Sequence, residues 1–173
     1  MSGLNAASAN ELREDLFRCC GSHLWVDRML EARPYQSEMH LRAAAEQAWW
    51  SLPQDEWLFA FRSHPRIGDV SALKEKFAKN PSAWEGGEQS GADNAAQETL
   101  SALKDGNDKY FEKFGHIFLI CATGKTADEM LEALNDRMPN SNYAELLIAT
   151  GEQAKITQLR LTKLIAERTR SHL

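Results

Sequence analysis

Apolar residues recur every three or four positions through most of the chain, the spacing that places side chains on one face of an α-helix. The first such stretch follows Ser8-Ala-Asn-Glu11, a capping-box sequence in which each side chain can bond the other residue's free backbone N–H. It predicts a helix that runs to Gly21. A second stretch with the same spacing ends before Pro34, which predicts a second helix.

Serine, tryptophan and proline mark the next two predicted helices. Ser37 opens an alanine-rich segment that ends at Trp49-Trp50. Pro53 stands where a fourth helix can start, because the N–H that proline lacks has no partner at a helix start. The spacing predicts that this helix buries Trp57, Leu58 and Phe61.

The middle of the chain begins and ends with turn sequences. In Ser63–Asp69 a proline keeps His64 out of helical geometry and a glycine releases the chain, which predicts an ordered turn. A short helix with Leu73 and Phe77 is expected next. The glycine-rich stretch Glu85–Gly91 is expected to be the most flexible part of the chain.

The last third of the sequence predicts further helices and one apolar run. A long helix is expected to bury the stripe formed by Leu100, Leu103, Asn107, Tyr110 and Phe114. Gly115 ends it, and His116–Cys121 is read as a buried segment, either strand-like or a turn of core helix, because periodicity does not decide between them. A second capping box, Thr126–Glu129, begins the next helix, and Asn142–Glu145 opens a final helix that reaches nearly to the end.

These patterns together indicate an all-α fold. One short apolar run stands against about eight helical segments, which favours a helical bundle over a sheet-containing fold. The chain has 173 residues, and no repeat or linker divides it, so we predict a single domain over residues 1–173.

The charge and the cysteine content limit which partners and which cellular compartment are expected. The net charge is −5 without a basic block, which argues against nucleic acid and acidic membranes as partners. The cysteine count is 3, and Cys19 and Cys20 are adjacent, which favours reduced thiols and a cytoplasmic protein. No apolar run is long enough to cross a bilayer. The C-terminal Ser171-His172-Leu173 is similar to the peroxisomal address Ser-Lys-Leu, which leaves a peroxisomal location as the alternative.

Several familiar motifs are absent or incomplete. Gly124-Lys125-Thr126 lacks the glycine that a phosphate-binding loop needs five positions earlier, so we interpret it as helix capping. The cysteines and histidines do not form paired clusters, and we predict no metal site. Cys19, Cys20 and Cys121 are expected to be packing residues, since a thiol in apolar surroundings has a raised pKa and is inert.

Three places in the sequence offer chemistry. His64 lies on a constrained turn and can serve as a proton-transfer group, although a histidine that caps the preceding helix would look the same. Glu88-Gln89 offers a carboxylate beside an amide, and solvated loop residues are the alternative. Arg160 lies on a helix face beside apolar neighbours, where it needs an anionic or carbonyl partner; a salt bridge to a glutamate or extension into solvent is the alternative.

Four segments that span nearly the whole chain stand out together: Ser63–Gly68, Glu88–Gly91, Phe114–Cys121 and Glu152–Leu161. In this order they resemble the OHCU decarboxylase family, whose name abbreviates 2-oxo-4-hydroxy-4-carboxy-5-ureidoimidazoline decarboxylase. The chain departs from the family pattern at Glu85, where serine is expected.

The resemblance implies an all-α, cofactor-independent, homodimeric enzyme of uric acid degradation that converts OHCU to (S)-allantoin. It implies catalytic roles for His64, Glu88 and Arg160. It also implies substrate-binding roles for Pro65, Gln89, Phe118 and Ile120.

Two alternatives remain at this stage. A helical interaction module could present Trp49, Trp50 and Trp57 as a partner groove, although aromatic residues at these spacings more often form a core. A decarboxylase or lyase could also act on another small ureido acid. The enzyme interpretation requires His64, Glu88 and Arg160 to meet at one concave site.

Overall fold

The computed structural model describes the backbone of residues 1–64 and 89–170, and the side chains of residues 1–64 and 97–170. Helices are the regular elements of this described part, which contains no strand, so the predicted all-α class is confirmed. The helices are α1 (Ser2–Ala6), α2 (Ala9–Cys19), α3 (His23–Glu31), α4 (Glu38–Trp50), α5 (Gln54–Phe61), α6 (Gln89–Phe114), α7 (Ala127–Arg137) and α8 (Asn142–Arg170).

The chain divides into two compact units. The first unit contains Met1–His64 and Thr150–Leu173, and the second contains Pro65–Ala149. The single domain expected over residues 1–173 stays a prediction.

The first unit is built around buried aromatic and leucine side chains. Trp25 and Trp49 are fully enclosed, and each indole N–H donates to a backbone carbonyl, that of Ala45 at 3.1 Å and that of Thr150 at 3.0 Å. Further members of this core are Leu12, Leu16, Leu41, Phe61 and Leu161. The bonded indoles fill the core without leaving a polar atom unsatisfied, which is the condition for burying tryptophan.

The second unit packs α6 against α7. The predicted stripe on α6 is confirmed, since all five of its residues are buried. Its apolar members form one cluster with Phe118, Ile120, Met130 and Leu134. Gly115 ends α6 with a φ of 75°, a conformation that glycine adopts without the strain of a side chain.

Both predicted capping boxes are present. Ser8 and Glu11 bond each other's backbone N–H at the start of α2, and Thr126 and Glu129 do the same at the start of α7. Ser37 caps α4 as expected, through a bond from the N–H of His40 to its hydroxyl. These helix starts could be predicted because every participating atom lies within three residues of the cap.

Several sequence predictions need correction. Of the face predicted on α5, Phe61 is buried, but Trp57 and Leu58 are only half-buried. Residues 116–121 form neither strand nor helix but an irregular segment whose centre is buried. The short helix α1 was not expected, and the helix predicted around Leu73 lies outside the described residues.

The start of α8 also differs from the prediction in its capping residue. The N–H of Ala144 donates to the Ser141 hydroxyl at 3.3 Å, so Ser141 caps this helix. Glu145 is fully buried and does not cap the helix. Its carboxylate accepts hydrogen bonds from Arg137 at 2.7 Å, from Asn140 at 2.8 Å and from the hydroxyl of Tyr110.

Candidate active site

A tight turn at the end of α5 positions His64. The N–H groups of Arg62, Ser63 and His64 donate to the carbonyls of Phe59, Ala60 and Phe61, each at 3.1 Å. These three-residue bonds tighten the last turn of the helix. The chain leaves α5 with the His64 ring half-buried, and residue 65 begins the part of the chain that is not described.

The turn is packed against Gly21, at a contact that excludes any larger residue. A Cβ atom at position 21 would lie 2.5 Å from both Cβ and Oγ of Ser63. Real Cβ atoms do not approach other heavy atoms this closely, so glycine is required here for the backbones to meet. Gly21 therefore sets the position of the residue that precedes His64.

The His64 ring is anchored by α8. Its Nε2 atom lies 2.6 Å from Oε1 of Gln153, which is fully buried. The Gln153 amide in turn donates from Nε2 to the hydroxyl of Thr157 at 3.1 Å, and that hydroxyl donates to the Cys19 carbonyl at 3.5 Å. The helix-capping alternative for the His64 side chain is not supported, because the ring bonds α8 rather than the end of α5.

Arg160 lies one turn further along α8 and is bonded to the end of α2. Its Nη1 atom donates to the carbonyls of Arg18 at 3.1 Å and Cys19 at 3.4 Å. These carbonyls lie at the C-terminus of a helix, where they lack intrahelical partners and where the helix dipole favours a positive charge. Of the alternatives raised for Arg160, the structure thus shows the carbonyl partner.

A cavity of about 310 Å³ opens beside this arginine, and Arg18, Lys163 and Glu167 are among the residues that line it. Both hydrogen bonds of Arg160 use Nη1, so within the described part of the chain Nε and Nη2 remain as donors for a ligand. The guanidinium is therefore oriented by α2, and the described residues leave part of its donor set unused.

The environment of His64 favours the neutral imidazole. Burial lowers its pKa below the ordinary value of 6.5, the positive charge of Arg160 lowers it further, and the hydrogen bond to Gln153 opposes both effects. A neutral imidazole has one nitrogen with a free lone pair, which is what a general base requires.

The thiols of the first unit are buried packing residues, as predicted. Cys19 and Cys20 are buried outside any disulfide, and burial raises the pKa of each thiol to about 12. Cys121 was expected to be buried as well, but it is half-buried.

Two of the predicted substrate-binding residues lie in the second unit. Phe118 is 2% exposed, and its ring packs against Tyr110 and under the guanidinium of Arg137, with 4.6 Å between Arg137 Cζ and the ring centroid. Ile120 is 9% exposed, and Arg137 Nη1 donates to the intervening Leu119 carbonyl at 2.8 Å. The buried pair of Arg137 and Glu145 therefore holds the segment in place, while its contact with substrate stays a prediction.

Other predicted residues lie outside the described part of the chain. Pro65, Glu85 and Glu88 belong to residues 65–88, and the side chain of Gln89 is likewise not described. The structure places His64 and Arg160 in the same unit, where the charge of Arg160 lowers the pKa of His64, while the cavity beside Arg160 is not lined by His64. The convergence of His64, Arg160 and Glu88 on one concave site stays a prediction. The C-terminal tripeptide at residues 171–173 also lies outside the described range.

The tryptophans do not form the groove that an interaction module would need. Trp49 is buried and Trp57 is half-buried, and the Trp57 indole donates to the Trp49 carbonyl at 3.0 Å. Only Trp50 of the three is exposed, at 46%. Two of the three side chains thus belong to the packing of the first unit.

The described residues lack two other kinds of feature, a metal site and a membrane-spanning helix. These residues contain no group of three or more histidine, cysteine or acidic side chains arranged to hold a metal ion. None of the helices over residues 1–64 and 89–170 combines the length and apolar character needed to span a membrane.

Sequence reasoning missed Gln153 and Thr157, which connect His64 to the main chain. Both lie on α8 at positions i and i+4, with Arg160 at i+7, so the three residues share one helix face. A row of polar residues on one helix face was the sequence feature that could have indicated their role. The sequence predicts Gly21 only as a helix end, and no local pattern indicates its contact with Ser63.

Comparison with known proteins gives one consistent family. A sequence model described as OHCU decarboxylase matches residues 5–162. The uric acid degradation bifunctional protein TTL of Arabidopsis thaliana is 36% identical over 166 residues, which cover 94% of this chain and 50% of that protein. The chain therefore spans half the length of that relative.

Other relatives match along nearly their whole length. The 2-oxo-4-hydroxy-4-carboxy-5-ureidoimidazoline decarboxylase of Haloferax volcanii is 26% identical over 94% of this chain and 97% of that protein. A crystal structure of OHCU decarboxylase in the presence of (S)-allantoin superposes with a TM-score of 0.70 and 33% identity, covering 88% of this chain and 98% of that one. By its sequence along most of its length, and by its fold, the chain belongs to the OHCU decarboxylase family.

Proposed function

We propose that this protein decarboxylates OHCU to (S)-allantoin without a cofactor, with His64 as the proton-transfer residue. The observation that supports this most is the state of His64: its ring is half-buried, hydrogen-bonded to Gln153, and lowered in pKa by burial and by Arg160. A neutral, oriented imidazole beside a fixed positive charge is suited to moving a proton on an anionic substrate.

The substrate itself explains why no cofactor is needed. OHCU carries a carboxylate and a hydroxyl on one ring carbon, next to a carbon–nitrogen double bond. When the bond to the carboxylate breaks, its electron pair forms a carbon–carbon double bond and the electrons of the carbon–nitrogen bond move onto nitrogen. The substrate therefore contains the electron acceptor that pyridoxal phosphate or thiamine supplies in other decarboxylases.

The remaining steps are proton transfers, and we assign them to His64. Loss of CO2 leaves the negative charge of the carboxylate on the ring nitrogen, which takes up one proton from water. The hydroxyl proton must then leave so that the carbonyl of allantoin can form, and a proton must be added to the ureido-bearing carbon. Addition from one face gives a single enantiomer, and a base held on one side of a bound ring provides that selectivity.

Arg160 would contact the ring carbonyl side or the developing negative charge, through the donors that α2 leaves unused. A guanidinium that held the leaving carboxylate tightly would stabilise the reactant, and only interactions that strengthen in the transition state accelerate the reaction. A planar fork of donors suits this role better than the ammonium of lysine.

The other predicted residues complete the proposal. Glu88 would orient His64 or bind the ureido and ring N–H groups, and Gln89 would pair with the amide-like edge of the substrate. Pro65, Phe118 and Ile120 are proposed to shape the substrate's surroundings. An enzyme acting on another small ureido acid would use the same groups, so the substrate assay decides between the two functions.

The test is a stereochemical assay on freshly generated OHCU. We expect the protein to speed the loss of OHCU and to give optically active allantoin, measured by circular dichroism. His64→Ala should lower the rate by on the order of 10²- to 10⁴-fold, the usual contribution of a general acid or base. His23→Ala, at an exposed histidine of the same unit, is the matched control and should keep the wild-type rate. Retention of rate and chirality in His64→Ala would remove His64 from the mechanism.

We also propose a cytoplasmic homodimer. The family resemblance supports the dimer, and adjacent cysteines that are buried outside any disulfide, as Cys19 and Cys20 are, are typical of a reducing compartment. Analytical ultracentrifugation tests the dimer, and a mass of one chain across micromolar concentrations would contradict it. Localisation of a tagged protein tests the compartment, with and without the terminal Ser-His-Leu that the peroxisomal alternative requires.

A further inference from the structure

The hydrogen bonds that link His64 to α2 have a definite direction. The Cys19 carbonyl can only accept a hydrogen bond, so the Thr157 hydroxyl donates its single proton to it, at 3.5 Å. The hydroxyl oxygen then accepts from the Gln153 amide nitrogen at 3.1 Å. The amide oxygen of Gln153, which can only accept, is thereby turned toward His64 at 2.6 Å.

We propose that Gln153 is a positioning residue that fixes the tautomer of His64: its amide oxygen holds the proton on Nε2 and leaves the lone pair on Nδ1. The nitrogen opposite Gln153 is then the one that can accept a proton from substrate. The structural part of this inference stands on the hydrogen bonds alone, and its catalytic part rests on the proposed function.

Burial of the residues that bond His64 strengthens the preference for one tautomer of its ring. Gln153 is fully buried and Thr157 is 4% exposed, so water does not compete for their hydrogen bonds. A reversed Gln153 amide would turn its nitrogen toward His64 and require the Thr157 proton for its oxygen, so the Cys19 carbonyl would lose the bond from Thr157 and keep the one from Arg160. The observed orientation makes one more buried hydrogen bond than the reversed one, and this favours it.

The direct test is the protonation pattern of the His64 ring, which needs no substrate. We would record long-range proton–nitrogen NMR spectra of ¹⁵N-histidine-labelled protein at about pH 8, where an imidazole with a lowered pKa is neutral. The signals of His64 are assigned as those missing from His64→Ala. We expect Nε2 to carry the proton and Nδ1 to show the signal of a nitrogen with a free lone pair. A proton on Nδ1 would overturn the proposal.

Three variants separate positioning from simple packing. Gln153→Met keeps the length of the side chain but removes the acceptor, so both tautomers should become populated. Gln153→Glu keeps an acceptor and should keep the proton on Nε2. Thr157→Val removes the hydroxyl that orients the amide and should also give a mixture, and it tests the same network if Gln153→Met does not fold. An unchanged tautomer in Gln153→Met and Thr157→Val would overturn the proposal.

The matched control is Gln158→Met, the same substitution on the same helix. Gln158 bonds the Arg42 carbonyl at 3.3 Å and the Glu46 carboxylate at 3.1 Å, away from His64. We expect the His64 signals of this variant to match those of the wild type. A tautomer change in Gln158→Met equal to that in Gln153→Met would show that any disturbance of α8 produces it, and would contradict a specific role for Gln153.

Kinetics then test the catalytic part. Loss of one hydrogen bond that selects the reactive tautomer should lower kcat on OHCU by on the order of tenfold in Gln153→Met, with a smaller change in KM. Gln153→Glu should restore part of this loss. If the wild-type spectrum shows the Nε2 proton but OHCU is not converted, the proposed function fails and the tautomer assignment stands. If OHCU is converted and the tautomer is the other one, the assignment fails and the proposed function stands.

Discussion

Replacing Gly21 by alanine would place a methyl group 2.5 Å from both Cβ and Oγ of Ser63. Carbon atoms pack at roughly 3.5–4.0 Å, so the two backbones would have to separate by about 1 Å. The hydroxyl of Ser63 could rotate away, but its Cβ is fixed to the backbone. Overpacking of this kind costs about 1–3 kcal/mol of the free energy of unfolding. Because Ser63 precedes His64, the same displacement moves the proposed base, and a misplacement of about 1 Å can lower a rate by on the order of 10²-fold.

Urea unfolding and the OHCU assay measure the two effects separately. Gly151→Ala is the control, because a Cβ there meets nothing within 4 Å, and a helical glycine replaced by alanine should gain about 0.5–1 kcal/mol. In the double variant Gly21→Ala with Ser63→Gly the clash is absent, so the two substitutions should compensate in a double-mutant cycle. Wild-type stability and rate in Gly21→Ala, or strictly additive effects in the cycle, would refute the close contact.

Three further outcomes are expected. Glu145→Leu leaves the buried guanidinium of Arg137 without its carboxylate and should cost about 3–5 kcal/mol in urea unfolding, and adding Arg137→Met should recover most of this loss. Stability should fall as the pH drops below the ordinary value of 6.5, because burial lowers the pKa of His64 and His116 and the unfolded chain therefore binds protons first. His64→Asn should remove only its own share of this pH dependence in urea titrations, and an unchanged pH dependence would contradict the burial argument. Arg160→Lys keeps the charge but loses the planar fork, so kcat on OHCU should fall by on the order of tenfold or more, and a wild-type kcat would exclude a role for the fork.

The parts of the fold that the sequence predicts well depend on atoms close together in the chain. The capping pairs Ser8 with Glu11 and Thr126 with Glu129 use side chains and backbone groups of a single helical turn. The buried stripe of α6 follows from helical periodicity alone. The helix α1 has only 5 residues, too few for a periodic pattern, and was therefore missed.

The errors arise where tertiary contacts override local patterns. Glu145 stands three residues after an asparagine, as a capping carboxylate would, but its partners Tyr110 and Arg137 are 35 and 8 residues away in sequence. Only the folded chain shows that this carboxylate is needed in the core. The irregular segment at residues 116–121 is similar: its carbonyl at Leu119 bonds Arg137 instead of a neighbouring strand or helix turn.

The candidate site shows the same division. His64 and Arg160 could be identified because they occur in short motifs that resemble a family. The residue that bonds His64 is 89 positions away, and no local pattern connects Gln153 with the turn after α5. Its position on the same face of α8 as Thr157 and Arg160 was visible in the sequence, but the meaning of that face depends on what packs against it.

The adjacent thiols at the end of α2 can report local unfolding of the first unit through their reaction with alkylating reagents. With a pKa of about 12, each of Cys19 and Cys20 is ionised in only about one molecule in 10⁴ at pH 8, and the thiolate is the form that alkylating reagents attack. Because both side chains are also buried, we expect labelling to be slow until α2 detaches and exposes them to water. The alkylation rate of these two cysteines should therefore measure how often the end of α2 unfolds locally. This is the part of the helix whose backbone carbonyls accept hydrogen bonds from Thr157 and Arg160.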